Sequence, residues 1–114
     1  MLQSMRGVVL IVALMLSGGA AAAAEDSYSA QYLIEACRNQ AYEKATGDIF
    51  KKGMCLGTVR TLWNRGSGCS PKSVTVGQVI KVVVAYIDQR PTRLHESFIS
   101  LTTEALEAAW PCQR

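Results

Sequence analysis

The residues of this chain that could carry out chemistry are four cysteines and a single histidine. A cysteine thiolate beside a histidine is a common nucleophile, and His95 is the one histidine that could serve such a site. Four thiolates could also bind zinc, but the cysteine spacings of 18, 14 and 43 residues contain no Cys-x-x-Cys pair. The third use is disulfide bonding, which would involve Cys37, Cys55, Cys69 and Cys112.

Other catalytic motifs are absent from the sequence. It contains no His-Glu-x-x-His zinc motif, no Gly-x-Ser-x-Gly nucleophile motif and no glycine-rich phosphate loop. The carboxylates fall on the outer faces of the predicted helices, where water solvates them. We therefore interpret His95 as a surface or packing residue, and we predict a protein that is not an enzyme and uses no metal or cofactor.

The first 24 residues are typical of a signal peptide. Arg6 supplies the positive charge, Gly7 to Leu16 form a short apolar run, and Ala22-Ala23-Ala24 fit a small-residue cleavage site before Glu25. The apolar run is shorter than the roughly 20 residues that span a bilayer. We therefore predict cleavage after residue 24, an exported domain of residues 25–114, and no membrane attachment after cleavage.

The mature chain would have 90 residues, enough for one domain. Its eleven basic and nine acidic residues give a net charge of +2. That charge is too small for a nucleic-acid-binding protein, and no basic stripe alternates with aromatic residues. Domains of this size bury only about 60–65% of their unfolded surface, so cross-links help to stabilise them. Four cysteines in an exported protein therefore favour two disulfides over a zinc site.

Hydrophobic periodicity predicts a first helix from Ser27 or Ser29 to about Tyr42 and a second from about Phe50 to Asn64. The expected buried stripes are Ala30, Leu33, Ala36 and Cys37 in the first helix, and Cys55, Val59, Leu62 and Trp63 in the second. Gly57 costs about 1 kcal/mol in a helix relative to alanine, and we expect it to permit close approach of another backbone. Gly66 is expected to cap the end of the second helix.

The sequence Thr75-Val76-Gly77-Gln78 has the pattern of a capping box and predicts a third helix to about Gln89. The apolar run that follows could also form a strand, but its polar and small residues recur every three or four positions, which favours a helix. Arg90-Pro91 ends this helix, and Pro91 or Thr92 is expected to open a fourth helix to about Ala109. The predicted inner face of that helix is Leu94, Phe98, Leu101, Ala105 and Ala108.

The order of the helices selects a disulfide pairing, because short links favour antiparallel neighbours. Cys37 and Cys55 then lie at one end of the bundle, whereas Cys69 and Cys112 lie at the other. Pairing Cys37 with Cys112 and Cys55 with Cys69 would exceed the Cα separation limit of roughly 7 Å. The predicted bonds are Cys37–Cys55 and Cys69–Cys112. The predicted fold is therefore all-α, a small antiparallel bundle of about four helices stapled by two disulfides.

The short polar loop from Gly66 to Val74 is the best sequence candidate for a functional surface, because loops on rigid scaffolds often carry recognition. It is pinned by Cys69 and Pro71. A plain connector is an equally good interpretation of the same residues.

The chain as a whole resembles the Rap/Tai family of type VI secretion immunity proteins. The residues that carry the resemblance are Cys37, Cys55-x-Gly57, Cys69-x-Pro71-x-x-Val74-Thr75-x-Gly77-Gln78, Val82-Val83-x-x-Tyr86-Ile87, Pro91-x-x-Leu94-His95, and Ala105-Leu106-x-x-Ala109-Trp110-Pro111-Cys112. Thr58 and Thr61 depart from the family pattern, which usually has a tyrosine and a second glycine at these positions.

The resemblance implies a small helical periplasmic protein, of a kind that is often a homodimer. It also implies a partner, a type VI secreted peptidoglycan amidase effector with a papain-like active site, whose catalytic groove is blocked by a loop of the immunity protein. We expect the blocking loop to be residues 67–73, with residues 90–95 as the second choice. The expected partner-binding residues are Ser67, Gly68, Ser70, Pro71, Lys72, Ser73, Arg90, Arg93 and His95.

Two other functions fit a small, exported, disulfide-bonded helical domain. One is an acid-stress chaperone of the HdeA type, which exposes apolar surface when its carboxylates become protonated. The other is a structural subunit of an envelope complex. Binding to a peptidoglycan amidase would distinguish the immunity function from both.

Overall fold

The structure, a computed structural model, describes residues 28–113. The helices are α1 (Ala30–Ala41), α2 (Ile49–Asn64), α3 (Val76–Asp88) and α4 (Phe98–Ala109), with a turn of 3-10 helix at Pro91–Arg93. Within residues 28–113 the extended structure amounts to one isolated bridge, between Ser29 and Ser97. The predicted signal peptide and cleavage site lie outside the described residues.

The four helices surround one hydrophobic core. Helix α1 packs mainly against α2 and α3, and α4 packs mainly against α3 and α2. The core side chains that are less than 2% exposed include Cys37, Cys55, Val59, Val79, Ile80, Val83, Ile87, Phe98, Leu101 and Leu106. The prediction of an all-α bundle of four helices with two disulfides is therefore confirmed.

Each helix begins at a residue whose side chain caps free backbone N–H groups. The Ser29 hydroxyl accepts a hydrogen bond from Tyr32, and the Asp48 carboxylate accepts from Phe50 and Lys51. The capping box predicted for α3 is present: Thr75 Oγ1 accepts from the Gln78 N–H at 3.2 Å, and Gln78 Oε1 accepts from the Thr75 N–H at 2.9 Å. Of the two caps predicted for α1, Ser29 is the one present, and α2 and α3 begin within one residue of their predicted starts.

The predicted start of the fourth helix was wrong. Helix α4 begins at Phe98, capped by Ser97, instead of at Pro91 or Thr92. The reason is that α1 uses the carbonyls a longer α4 would need, since Ala30 and Gln31 donate to Glu96 and Leu94 at 2.9 Å. The buried face of α4 therefore also differs from the predicted one. The buried residues of α4 are Phe98, Leu101, Thr102, Ala105 and Leu106, whereas Ala108 is exposed.

The two predicted disulfides are confirmed. The Cα atoms of Cys37 and Cys55 are 5.4 Å apart and those of Cys69 and Cys112 are 5.0 Å apart, within the range that a disulfide bridges. Cys37 and Cys55 are fully buried between α1 and α2. Cys69 and Cys112 are exposed, so one bond is part of the core and the other lies on the surface.

The expectation that Gly57 permits close approach of another backbone was wrong. No atom lies within 4 Å of the position that a Cβ would occupy there. The crowded glycine is Gly68, which has a φ of +70° and whose Cβ would overlap the Leu106 carbonyl group. The sequence predicted that a glycine is required at position 57 of α2. In the structure the required glycine is Gly68, in the loop that follows this helix.

These two glycines predict opposite responses to alanine. Gly57→Ala should raise the free energy of unfolding by about 1 kcal/mol, because alanine is the better helix former and meets open space. Gly68→Ala should lower it by at least about 1–2 kcal/mol, the cost of a left-handed backbone for an L-residue. Urea denaturation of both variants checks this, and equal shifts in the same direction would contradict the assigned packing.

Candidate functional site

The first candidate loop, residues 67–73, begins with a fixed turn at the end of α2. The Gly66 N–H donates to the Trp63 carbonyl and the Ser67 N–H donates to the Leu62 carbonyl, both at 3.1 Å. Gly66 has a φ of +89°, the left-handed conformation that glycine adopts at little cost. This pair of bonds is a Schellman motif and confirms the predicted cap at Gly66. The loop therefore leaves α2 in a defined direction.

The middle of the first loop is attached to the end of α4. Gly68 is buried against the backbone of Leu106, and the Cys69 N–H donates to the Trp110 carbonyl at 2.7 Å. The disulfide from Cys69 to Cys112 adds a covalent link to the chain that follows α4. Three different contacts thus hold the same two residues, so the loop has little freedom to move relative to the bundle.

The tip of the first loop is Pro71, Lys72 and Ser73, all exposed. Just before the tip, the Ser70 hydroxyl accepts a hydrogen bond of 2.6 Å from Nε1 of the half-buried Trp63, and the Val74 N–H closes the tip by donating to the Pro71 carbonyl. Of the six contact residues predicted in this loop, Gly68 and Ser70 therefore act as supports. Pro71, Lys72 and Ser73 are the ones most available to a partner.

The second candidate loop, residues 90–95, is held by an ionic cluster. Arg93 forms paired hydrogen bonds with Glu96, at 2.6 and 2.8 Å, and with Glu104 of α4, at 2.8 and 2.9 Å. The Tyr86 hydroxyl of α3 also donates to Glu104 at 2.9 Å. Both Arg93 and Glu104 are partly exposed. Arg93 was predicted to bind a partner, but its guanidinium is engaged within the protein.

Arg90 is also engaged within the protein. Its guanidinium lies 3.6 Å from the centre of the Tyr86 ring and donates to the Tyr86 carbonyl at 2.8 Å. The exposed positions of the second loop are Pro91, Thr92 and His95. Of the three residues predicted in this loop, His95 is thus the one whose side chain is most open to solvent.

The two loops do not form one site. The first loop precedes α3 and is joined to the end of α4, whereas the second follows α3 and precedes α4. Helix α3 has 13 residues, which at 1.5 Å per residue separates the loops by about 20 Å. A narrow groove of a partner can therefore receive the tip of one loop but not the tips of both.

The four cysteines, which could have formed a nucleophile or a zinc site, are used for cross-linking. All four cysteines are in disulfides, so none is a thiolate. No group of three or more potential metal ligands occurs among residues 28–113. In the same part of the chain no helix is long and apolar enough to cross a bilayer. The disulfides themselves are typical of an oxidising compartment.

An exposed surface along α2 was not predicted from the sequence. Ile49 and Phe50, at the start of this helix, are 85% and 66% exposed although they are large and apolar. Residues 49–87 also contain six basic side chains and no acidic one. The segregation of charge could have been found by counting along the sequence, whereas the exposure of the apolar residues required the packing.

The family comparison agrees with the resemblance seen in the sequence. The profile described as Rap1a immunity proteins matches residues 29–112. The chain belongs to this family. The match includes both disulfides and both loops, and membership indicates an immunity protein that binds a cognate effector protein. No curated protein and no solved structure was found to match the chain.

The exposed disulfide should be the first to be reduced. Thiol–disulfide exchange requires access to a sulfur atom, and Cys69 and Cys112 are exposed whereas Cys37 and Cys55 are buried. A limiting amount of reductant followed by alkylation should therefore label Cys69 and Cys112 first, as read by mass spectrometry. Labelling of Cys37 and Cys55 before Cys69 and Cys112 would contradict the structure.

Removal of the exposed disulfide should also destabilise the fold. The Cys69→Ser/Cys112→Ser variant should have a free energy of unfolding about 4 kcal/mol lower than that of the unaltered protein in the chain-entropy model.

The ionic cluster predicts a loss of stability in acid. Hydrogen bonds from Arg93 lower the pKa of Glu96, and those from Arg93 and then Tyr86 lower the pKa of Glu104. Each carboxyl group therefore stabilises the fold fully above the ordinary glutamate pKa of about 4.3. That contribution is lost as the pH falls through the lowered folded value.

Glu104→Gln should flatten the acid limb of the plot of unfolding free energy against pH, because one of these lowered groups is removed. The matched control is Glu107→Gln, an exposed carboxylate of the same helix with no hydrogen bond to other described side chains. Urea unfolding at several pH values measures both slopes. An acid limb as steep in Glu104→Gln as in the control would show that the cluster does not contribute.

Proposed function

We propose that the protein is a periplasmic immunity protein that binds a type VI secreted peptidoglycan amidase effector and inhibits it sterically. The observation that carries the proposal is the combination of family membership with the rigid, exposed tip at residues 71–73. In this proposal residues 1–24 are a cleaved signal peptide and residues 25–114 are the immunity domain. The protein cleaves no bond itself and uses no cofactor.

The structure of the first loop supports a steric mechanism. A loop that is already fixed by the disulfide, by the contact of Gly68 with α4 and by Trp63 loses little conformational freedom on binding. Insertion of such a tip into a narrow groove excludes substrate without any chemical step. The tip contains one positive charge, on Lys72, flanked by the small residue Ser73 and by Pro71.

The periplasm is the compartment in which this chain and a peptidoglycan amidase would meet. Two disulfides need an oxidising environment, and the predicted signal peptide would bring the chain there. Because amidase substrates are wall peptides outside the inner membrane, inhibition has to occur in that compartment. The proposal also includes the homodimer implied by the resemblance, which sedimentation of the mature protein would test.

Binding by the first loop predicts a specific pattern of loss. We expect Ser73→Trp to weaken inhibition at least about tenfold, which corresponds to about 1.4 kcal/mol, because the exposed serine tolerates the larger side chain in the fold but not in a partner's groove. The measurement is hydrolysis of purified peptidoglycan by a panel of papain-like type VI amidases, with the mature protein added at increasing concentration.

The matched control is His95→Trp, which changes an exposed residue of the second loop, at the opposite end of α3. It should inhibit as well as the unaltered protein. The reverse pattern, with His95→Trp inactive and Ser73→Trp active, would assign inhibition to the second loop. Failure of the unaltered protein to bind or inhibit any amidase of the panel would overturn the amidase proposal itself.

A further inference from the structure

A groove follows α2 where this helix faces the start of α4. Its two adjoining parts have volumes of 390 and 270 Å³ and share Gly57, Thr58 and Ile99 in their walls. The space above Gly57 is open, since nothing lies within 4 Å of the position of a Cβ. The groove therefore reaches the backbone of α2 and has room for a large apolar side chain.

The surface around the groove is unusually apolar for exposed positions. Ile99 in its wall is 46% exposed and Phe50 is 66% exposed. Phe50 shares a helix face with Met54 and Gly57, which line the groove, because residues three or four apart on a helix are neighbours. Contiguous exposed apolar surface marks interaction sites, whereas single exposed apolar residues are normal.

The rim of the groove is positively charged at both ends. Arg65 lines one end. At the other end Lys51 lies 4.0 Å from the centre of the Tyr32 ring, which stacks on Tyr28 in the groove wall. Among residues 28–113 the ion pairs involve Arg38 and Arg93, so neither rim charge is neutralised by an acidic residue of the described chain.

We propose that this groove is a protein-binding surface that receives an apolar side chain carried on an acidic segment of a partner protein. The concave apolar floor selects the side chain, and the positive rim selects the acidic residues that flank it. This surface is separate from the tip of the first loop, and the proposal does not require the partner to be an amidase.

Two other occupants fit the groove less well. A second copy of this chain would place the basic side chains of α2 against their own counterparts, and like charges across an interface cost affinity. A membrane surface would attract the basic residues and could bury the exposed Phe50. It would leave the recessed floor at Gly57 unfilled, since interfacial helices bury a protruding apolar face.

The test fills the groove without disturbing the fold. Gly57→Leu places a side chain in open space within the groove, and Gly53→Leu makes the same change one turn earlier, at an exposed position that also has nothing within 4 Å. Both changes replace glycine by a better helix former, so both variants should be at least as stable as the unaltered protein. Circular dichroism and urea unfolding confirm this before binding is measured.

The probe is a short peptide with leucine and phenylalanine between runs of aspartate and glutamate, titrated into the disulfide-bonded mature protein at low salt. We expect saturable nuclear magnetic resonance shifts at Gly57, Thr58 and Ile99. The dissociation constant should increase at least about tenfold in Gly57→Leu. It should increase much less in Gly53→Leu, since Gly53 lies beside the groove but does not line it. The same peptide with lysine in place of its acidic residues should not bind.

Three results would overturn the proposal. One is the absence of saturable binding, or equal binding by Gly57→Leu and Gly53→Leu. A second is binding to vesicles of phosphatidylglycerol and phosphatidylethanolamine that Gly57→Leu abolishes, which would assign the surface to lipid. The third is concentration-dependent self-association in sedimentation that Gly57→Leu abolishes, which would assign it to a second copy.

Discussion

The attachment of the first loop to the end of α4 is the constraint on which the rest of the arrangement depends. The loop has no apolar core of its own, since its exposed tip is Pro71, Lys72 and Ser73. Its shape comes from the Cys69–Cys112 bond and from Gly68, whose missing side chain lets the loop contact the Leu106 backbone. The same contacts hold the last described residues against the bundle. A surface pinned this way is ready to bind without first being ordered.

The two ends of the bundle are stabilised by different physical means. A covalent bond and close backbone packing hold the first loop, and these are insensitive to salt and to moderate acid. The second loop relies on the ion pairs of Arg93 with Glu96 and Glu104, whose partly exposed charges are screened by salt and removed by protonation. Its backbone bonds to α1 remain in acid, so loss of the ion pairs would loosen this loop without detaching it.

Local signals in the sequence were sufficient for most of the fold. Thr75 and Gln78 cap their own helix, and the helix order was enough to pair the cysteines. The start of α4 could not be found this way, because it depends on the carbonyls of Leu94 and Glu96 accepting from α1, some sixty residues earlier in the chain. Contacts between distant residues were also not predictable for the candidate loops. The sequence shows that Arg93 is charged, but not that Glu104 of α4 neutralises it.

The groove and the first loop meet at the end of α2. Arg65 lines the groove, and the loop turns away at Gly66, the next residue. If one partner contacted both the tip and the groove, two contacts of different chemistry would fix its orientation. Steric blockage requires only that the tip fit a cleft, which many related clefts would allow. Discrimination among them needs a second contact that unrelated partners lack. In the proposed arrangement the basic rim of the apolar groove would supply that contact, because it disfavours partners whose facing surface is basic.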